Sequence, residues 1–206
     1  MATIARSSPE AEISAPAPLT SGLRRERPEG VPESRYYTGM IVFLGGVTML
    51  FAAFTSAYIV RKGISDDWSP MAVPALVWLN TLVLLISSLT VERARRYFDE
   101  SEVFVKWWLA TTVLGVCFLL GQLVVWGQLV GRGVYLSTNP SSAFFYIMTG
   151  AHGIHLMGGV LTLVYFSWRI LLGHDLKRMA VNATALYWHF MDGLWVYLLM
   201  LLFLWR

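Results

Sequence analysis

The sequence predicts an all-α integral membrane protein, a bundle of five transmembrane helices. Of its 206 residues, 56% are hydrophobic and only 14% are charged, whereas a soluble domain averages about a quarter charged. The apolar residues fall into five long blocks almost free of charge, each with the roughly 20 residues needed to cross about 30 Å of hydrocarbon. In lipid a backbone must satisfy its own hydrogen bonds, so such blocks are helices. Buried helices of a soluble bundle would carry polar stripes, and these blocks carry almost none.

Residues 1–35 form a separate tail. They hold five prolines (Pro9, Pro16, Pro18, Pro28, Pro32), five arginines and five glutamates, with no apolar run. Such a segment buries too little surface to offset its chain entropy and is expected to be disordered. It lacks the apolar centre of a cleaved signal peptide.

The membrane domain is expected over residues 36–206. The first span covers about 38–60 and is closed by Arg61 and Lys62. The second covers about 71–90, with Pro70 and Pro74 at its start, where a missing backbone donor costs little. The third covers about 107–130, opened by Lys106 and followed by Arg132. The fourth follows Asn139 and Pro140 and covers about 141–168, ahead of Arg169. The fifth covers about 182–205. Twelve Lys and Arg residues fall on the side of the amino-terminal tail and four on the other. The excess of positive charge places the amino terminus in the cytoplasm and the carboxyl terminus in the periplasm. Tyr36, Tyr37, Trp68, Trp107, Trp108, Trp168 and Trp205 sit near span ends, as an interfacial aromatic belt requires.

Polar side chains at membrane depth are costly and mark the places to look. They are Asn80 in span two, Gln122 in span three, His152 and His155 in span four, and His189 and Asp192 in span five. His152 and His155 share a helix face, as do His189 and Asp192. Counting about 1.5 Å of rise per residue puts all four in the middle or on one side of the bilayer, where antiparallel neighbours could bring the two faces together. Three chemistries fit. One is helix–helix hydrogen bonding that braces spans four and five. The second is a proton-handling or lipid-headgroup site. The third is haem or metal ligation, for which His152, His155 and His189 supply at most three ligands.

Small residues offer close helix approach. Gly127 and Gly131 form a G-x-x-x-G pair, span four carries Gly150, Gly153, Gly158 and Gly159, and span one carries Ala52, Ser56, Ala53 and Ala57 at similar spacing. These positions suit helix contacts within the chain or a flat surface for another subunit. The single cysteine, Cys117, supports no internal disulfide and reads as apolar filler. No nucleotide loop, nucleophile elbow or metalloprotease helix is present. Neither catalysis by this chain alone nor a nucleic-acid partner is indicated.

The last two spans carry long motifs. Phe144-Phe145-Tyr146-Ile147-Met148-Thr149-Gly150-Ala151-His152-Gly153-Ile154-His155 resembles a motif of subunit III of haem–copper oxidases. So does Tyr187-Trp188-His189-Phe190-Met191-Asp192 followed by Trp195. Trp68, Pro70, Pro74, Leu79-Asn80-Thr81, Ser87-Ser88, Gly115, Phe118, Gln122 and Trp126 resemble further positions of that family. The resemblance spans about residues 36–206 and is to the five-helix bacterial form. Two family glutamates are replaced, by Val47 and Val125, so no role of those carboxylates carries over.

The resemblance implies an accessory subunit with no redox cofactor of its own, in a bacterial inner membrane. Haem and copper would sit in partner subunits. The chain would contact oxidase subunits I and II, bind phospholipid between two helix groups, support proton uptake and turnover stability, and take part in a respiratory supercomplex. Spans one and two would form one group and spans three to five the other. Rival readings are a haem-bearing, quinol-oxidising membrane anchor, a subunit III-like protein of a nitric oxide reductase, and a small transporter.

Overall fold

A computed structural model describes residues 33–64, Trp68 and residues 74–204. Most of the expected tail, and Pro70, Met71 and Trp205, lie outside the described residues. Among the described residues the chain is helical with short turns and no strand. Its helices are α1 (Glu33–Ile64), α2 (Leu76–Arg96), α3 (Ser101–Gly131), α4 (Pro140–Leu171) and α5 (Arg178–Leu204). All five are long and apolar enough to cross a membrane.

The helices overrun the apolar blocks. α4 has 32 residues, about 48 Å at the α-helical rise, against roughly 30 Å of hydrocarbon. Hydrophobicity marks only the hydrocarbon, and the hydrogen-bond ladder continues into the headgroup region, where charge is tolerated. α1 therefore starts at Glu33, inside the stretch read as tail, and α2 runs on to Arg96. At its other end α2 begins later than expected. Pro74 lies ahead of it, and the Pro74 carbonyl accepts from the Val77 amide at 3.1 Å.

Local chemistry fixes the other ends. The Asn139 side chain accepts from the Ser142 amide at 2.8 Å, and the Asn139 amide donates back to Ser142 Oγ at 3.2 Å. This reciprocal cap, with Pro140 at the first helical position, starts α4. α3 and α4 each stop at a glycine with positive φ, Gly133 (75°) and Gly173 (76°). The next amides fold back on the last turn: Val134 N–H reaches Leu129 O, and His174 N–H reaches Arg169 O, both at 3.0 Å. That geometry needs a residue without a Cβ.

Helices α2, α3, α4 and α5 close a ring in that order, each against its two neighbours. α1 lies outside the ring on α4 and α5 and touches neither α2 nor α3. The expected pairing of the first two spans is therefore not formed. Chain adjacency did not decide it, because α1 carries its buried aromatics, Phe51 and Tyr58, toward Met148 and Leu198. Inside the ring Trp108, Trp188 and Trp195 are fully buried. Outward-facing positions are apolar, as with Met49 at 76%, Leu89 at 67% and Ile154 at 67% exposure. An apolar exterior of this extent requires lipid or protein around it.

Candidate functional site

The ring is joined by hydrogen bonds across its helix interfaces. Between α2 and α5, the Trp188 indole donates to Ser87 Oγ and the Trp195 indole to Thr81 Oγ1, both at 3.0 Å. Between α2 and α3, Asn80 Nδ2 donates to the Phe118 carbonyl at 3.1 Å and to Gln122 Oε1 at 3.2 Å, and Thr111 Oγ1 meets Thr90 Oγ1 at 2.8 Å. Between α3 and α4, the Trp108 indole reaches the Leu163 carbonyl at 3.4 Å, and Thr112 and Ser167 hydroxyls meet at 3.0 Å. Between α4 and α5, the Tyr187 hydroxyl donates to the His155 carbonyl at 2.6 Å. α1 is tied to α5 by Thr55 Oγ1 and Tyr197 Oη at 2.9 Å. In a bilayer, where apolar burial between helices gives little, such bonds and close fit supply much of the association.

The intramembrane histidines do not face one another as expected. His152 is buried, its ring 5.2 Å from that of Trp195. Among the described residues neither of its ring nitrogens has a hydrogen-bond partner. The Nδ1 of His155 is held on the Ala151 carbonyl of its own helix at 2.7 Å, and its ring meets Phe51 of α1 edge-on. His189 turns to α2, with Nδ1 2.7 Å from Ser88 Oγ and Nε2 3.7 Å from Glu92 Oε2. Asp192 is 4% exposed, and among the described residues neither carboxyl oxygen has a partner in hydrogen-bond geometry. The reason is the register of α5. The face carrying Tyr187 meets α4, while His189 looks toward α2. Periodicity puts 189 and 192 on one face but leaves open which helix lies opposite. Among the described residues no three His, Cys, Asp or Glu side chains converge.

The glycines divide by surroundings. A Cβ on Gly115 would meet the Trp188 ring, and one on Gly159 the Tyr187 ring at 2.9 Å. Gly121 leaves room only for Asn80. Among the described residues nothing lies within 4 Å of a Cβ built on Gly127 or Gly131, so this G-x-x-x-G pair is not used to seat another helix there. Ala52, Ala53, Ser56 and Ala57 of α1 are likewise exposed, and so is Cys117. The end of α1 from Ala53 onward and the start of α4 border a groove of about 770 Å³ lined by Ala53, Ser56, Ala57, Val60, Arg61 and Phe144, among others.

Residues that sequence reasoning did not single out include Glu92, Thr55, Tyr197, Thr90 and Thr111. Their one signal was position: Ser88 and Glu92 are four apart and share a face of α2.

The family model of cytochrome c oxidase subunit III matches residues 33–206, the whole helical part. The chain belongs to that family. It is 30% identical over 184 residues to cytochrome c oxidase subunit 3 of Synechocystis sp., covering 85% of this chain and 77% of the relative. It is 32% identical over 174 residues to the same subunit of Thermostichus vulcanus, covering 81% and 85%. A probable cytochrome c oxidase subunit 3 of Nocardia farcinica is 30% identical over 171 residues, covering 77% and 82%.

As a cytochrome c oxidase subunit III family protein, the chain is a multi-pass protein of a bacterial inner membrane and a subunit of respiratory electron transport in a haem–copper oxidase. The residues that carry the family motifs sit at helix contacts. Phe144 meets Tyr58 of α1, Phe145 is buried in the ring, and Thr149 bonds the Phe145 carbonyl. Gly150 lies under Trp126. Tyr187, Trp188 and Trp195 make the cross-helix bonds given above, and Phe190 lies where α1 and the ring interior meet. Val47 and Val125, at the two replaced glutamates, are 4% and 0% exposed. An unpaired carboxylate at either would be buried at high cost.

Proposed function

We propose that this chain is the accessory, non-redox subunit III of a respiratory haem–copper terminal oxidase. It packs beside subunits I and II, binds phospholipid, and supports proton uptake and turnover stability in aerobic electron transport. The observation that carries this reading is the family match over the entire bundle, joined to an interior given over to Trp and hydroxyl contacts between helices. Haem and copper lie in the partner subunits. The exposed small-residue faces at Gly127 and Gly131 and along α1 are where a neighbouring subunit seats. The groove between α1 and α4 takes an acyl chain along Ala53, Ala57 and Val60, with Arg61 at the headgroup end. The amino terminus lies in the cytoplasm and the carboxyl terminus in the periplasm, as the positive charges favour.

The test is a mild-detergent purification through an affinity tag on this chain, with an absorbance spectrum and mass identification of the proteins and lipids retained. Large haem–copper subunits with bound phospholipid, and a colourless chain once these are removed, are expected. A chain that purifies alone with stoichiometric haem, or one that brings down a nitric oxide reductase, overturns the reading.

A further inference from the structure

A second crevice opens between α1, α4 and α5, at the end of the bundle where α1 and α5 begin. It holds about 260 Å³ and is lined by Met40, Phe43, Gly158, Thr162, Thr184 and Tyr187. Two adjacent glycines of α4 shape it. Gly159 gives the Tyr187 ring its seat, since a Cβ there would stand 2.9 Å from Cε1. A Cβ on Gly158 would meet nothing within 4 Å, so this position keeps the crevice open. Across it, Phe43 of α1 lies 6.1 Å from Tyr187 between ring centroids. Thr162 is exposed and Thr184 is 6% exposed, so the crevice runs from the lipid side to a floor on α5.

Its hydroxyls have all spent their protons. Thr162 Oγ1 donates to the Gly158 carbonyl and Thr184 Oγ1 to the Ala180 carbonyl, both at 2.9 Å. The Tyr187 hydroxyl donates to the His155 carbonyl at 2.6 Å. A hydroxyl has one proton and two lone pairs, so each keeps acceptor capacity only. The lining residues lie inside helices, where the N–H groups are taken by the ladder. Met40 and Phe43 bring no side-chain donor. The crevice therefore offers acceptors and no donor. A guest whose polar end is an ester, ketone or ether gains no bond there and forgoes the water it bonds at the membrane surface. A guest that brings an O–H gains a bond to Thr162 or Thr184. An apolar cavity of about 150 Å³ already takes a benzene ring. This crevice has room for one ring or a short chain, with the rest of the molecule in lipid.

We infer that the crevice is a binding site for a membrane-soluble alcohol or phenol, held by donation of its hydroxyl to Thr162 or Thr184. It is distinct from the groove lined by Ala53, Ala57 and Val60 at the other end of α1, and its chemistry selects against the ester end of a phospholipid.

The experiment is photolabelling of the full chain, purified in its complex and placed in lipid nanodiscs. The probes are a diazirine-bearing octanol and a diazirine-bearing phenol of similar length, each paired with its methyl ether. Labelled residues are read by mass spectrometry. At least one hydroxyl probe is expected to label Met40, Phe43 or Tyr187 roughly three- to tenfold more than its ether, the worth of about one neutral hydrogen bond. Which probe does so tells an aliphatic guest from an aromatic one. The double variant T162V/T184V keeps side-chain shape and should erase the preference while ether labelling stays constant. G158L fills the crevice and should remove labelling by every probe. The double Thr variant keeps the site testable should G158L fail to assemble. Three outcomes overturn the inference: no hydroxyl probe preferred over its ether, a preference that survives in T162V/T184V, or full labelling in G158L.

Discussion

A Cβ placed on Gly115 would stand 2.7 Å from Cη2 of Trp188. The indole cannot easily retreat. Its Nε1 is bonded to Ser87 across α2, and its ring edge faces Gly159 of α4. α3, α4 and α5 thus meet on one side chain, and two glycines make the room for it.

G115A is therefore expected to overpack the ring. Forcing a methyl into a well-filled interior costs about 1–3 kcal/mol. Thermal unfolding of the full chain in mild detergent should show a lowered midpoint for G115A and little change for G127A, whose position is open. Equal losses in the two variants would mean that the Trp188 contact is not the cause.

Asn80 and Gly121 offer a coupled pair. A side chain on Gly121 would collide with the Asn80 amide, which is itself bonded to Phe118 and Gln122. G121A should destabilise the chain, and N80A should do so by roughly 0.6–1.7 kcal/mol, the range of intramembrane hydrogen bonds. In the double variant the clash is gone, so the two losses should fall short of additive by about 0.5 kcal/mol or more. Additive losses, measured by denaturant titration of the full chain, would show that the two residues do not share one space.

Much of this was legible from residue chemistry, and the rest was lost for definable reasons. The helices follow from hydrophobic blocks, and Asn80, Gln122, His152 and Asp192 stand out because polar groups at depth are rare. Their partners were not legible. A period of 3.6 assigns His189 and Asp192 to one face, but the ring order puts α2 there rather than α4. The same limit applies to Gly127 and Gly131, whose spacing is alike whether the face turns inward or outward. Thr111 gave no signal, and Thr81 and Ser87 stood out only as positions of the family resemblance, because Ser and Thr bond to their own helix carbonyls and pass unnoticed in apolar runs.

The outer helix α1 should be the easiest to loosen. Among the described helices it packs on α4 and α5, and Thr55 bonds Tyr197 across the interface with α5. T55V removes that bond while keeping shape. Hydrogen exchange of the full chain should then rise in α1 around residues 51–58 and stay constant in α3. The expected shift is about 0.6 kcal/mol, roughly a threefold change in opening. Uniform exchange across both helices would show that α1 opens only with the whole bundle.

His152 gives the sharpest contrast with a bracing role. Both ring nitrogens are buried without a partner, and the ring lies against Trp195. Removing one partner of a satisfied bond costs about 1–3 kcal/mol, but replacing an unsatisfied group by an apolar one of similar shape is nearly neutral or stabilising. Phenylalanine keeps a flat ring on Trp195 and drops the two nitrogens. H152F should therefore unfold at or above the wild-type midpoint and keep its place in the oxidase complex, whereas H152A should fall below it through the lost ring contact. If H152F falls as far as H152A, the imidazole nitrogens are engaged in the assembled membrane, by bound water or by a neighbouring subunit. His152 would then be a bracing residue after all, with its partner outside this chain's own side chains.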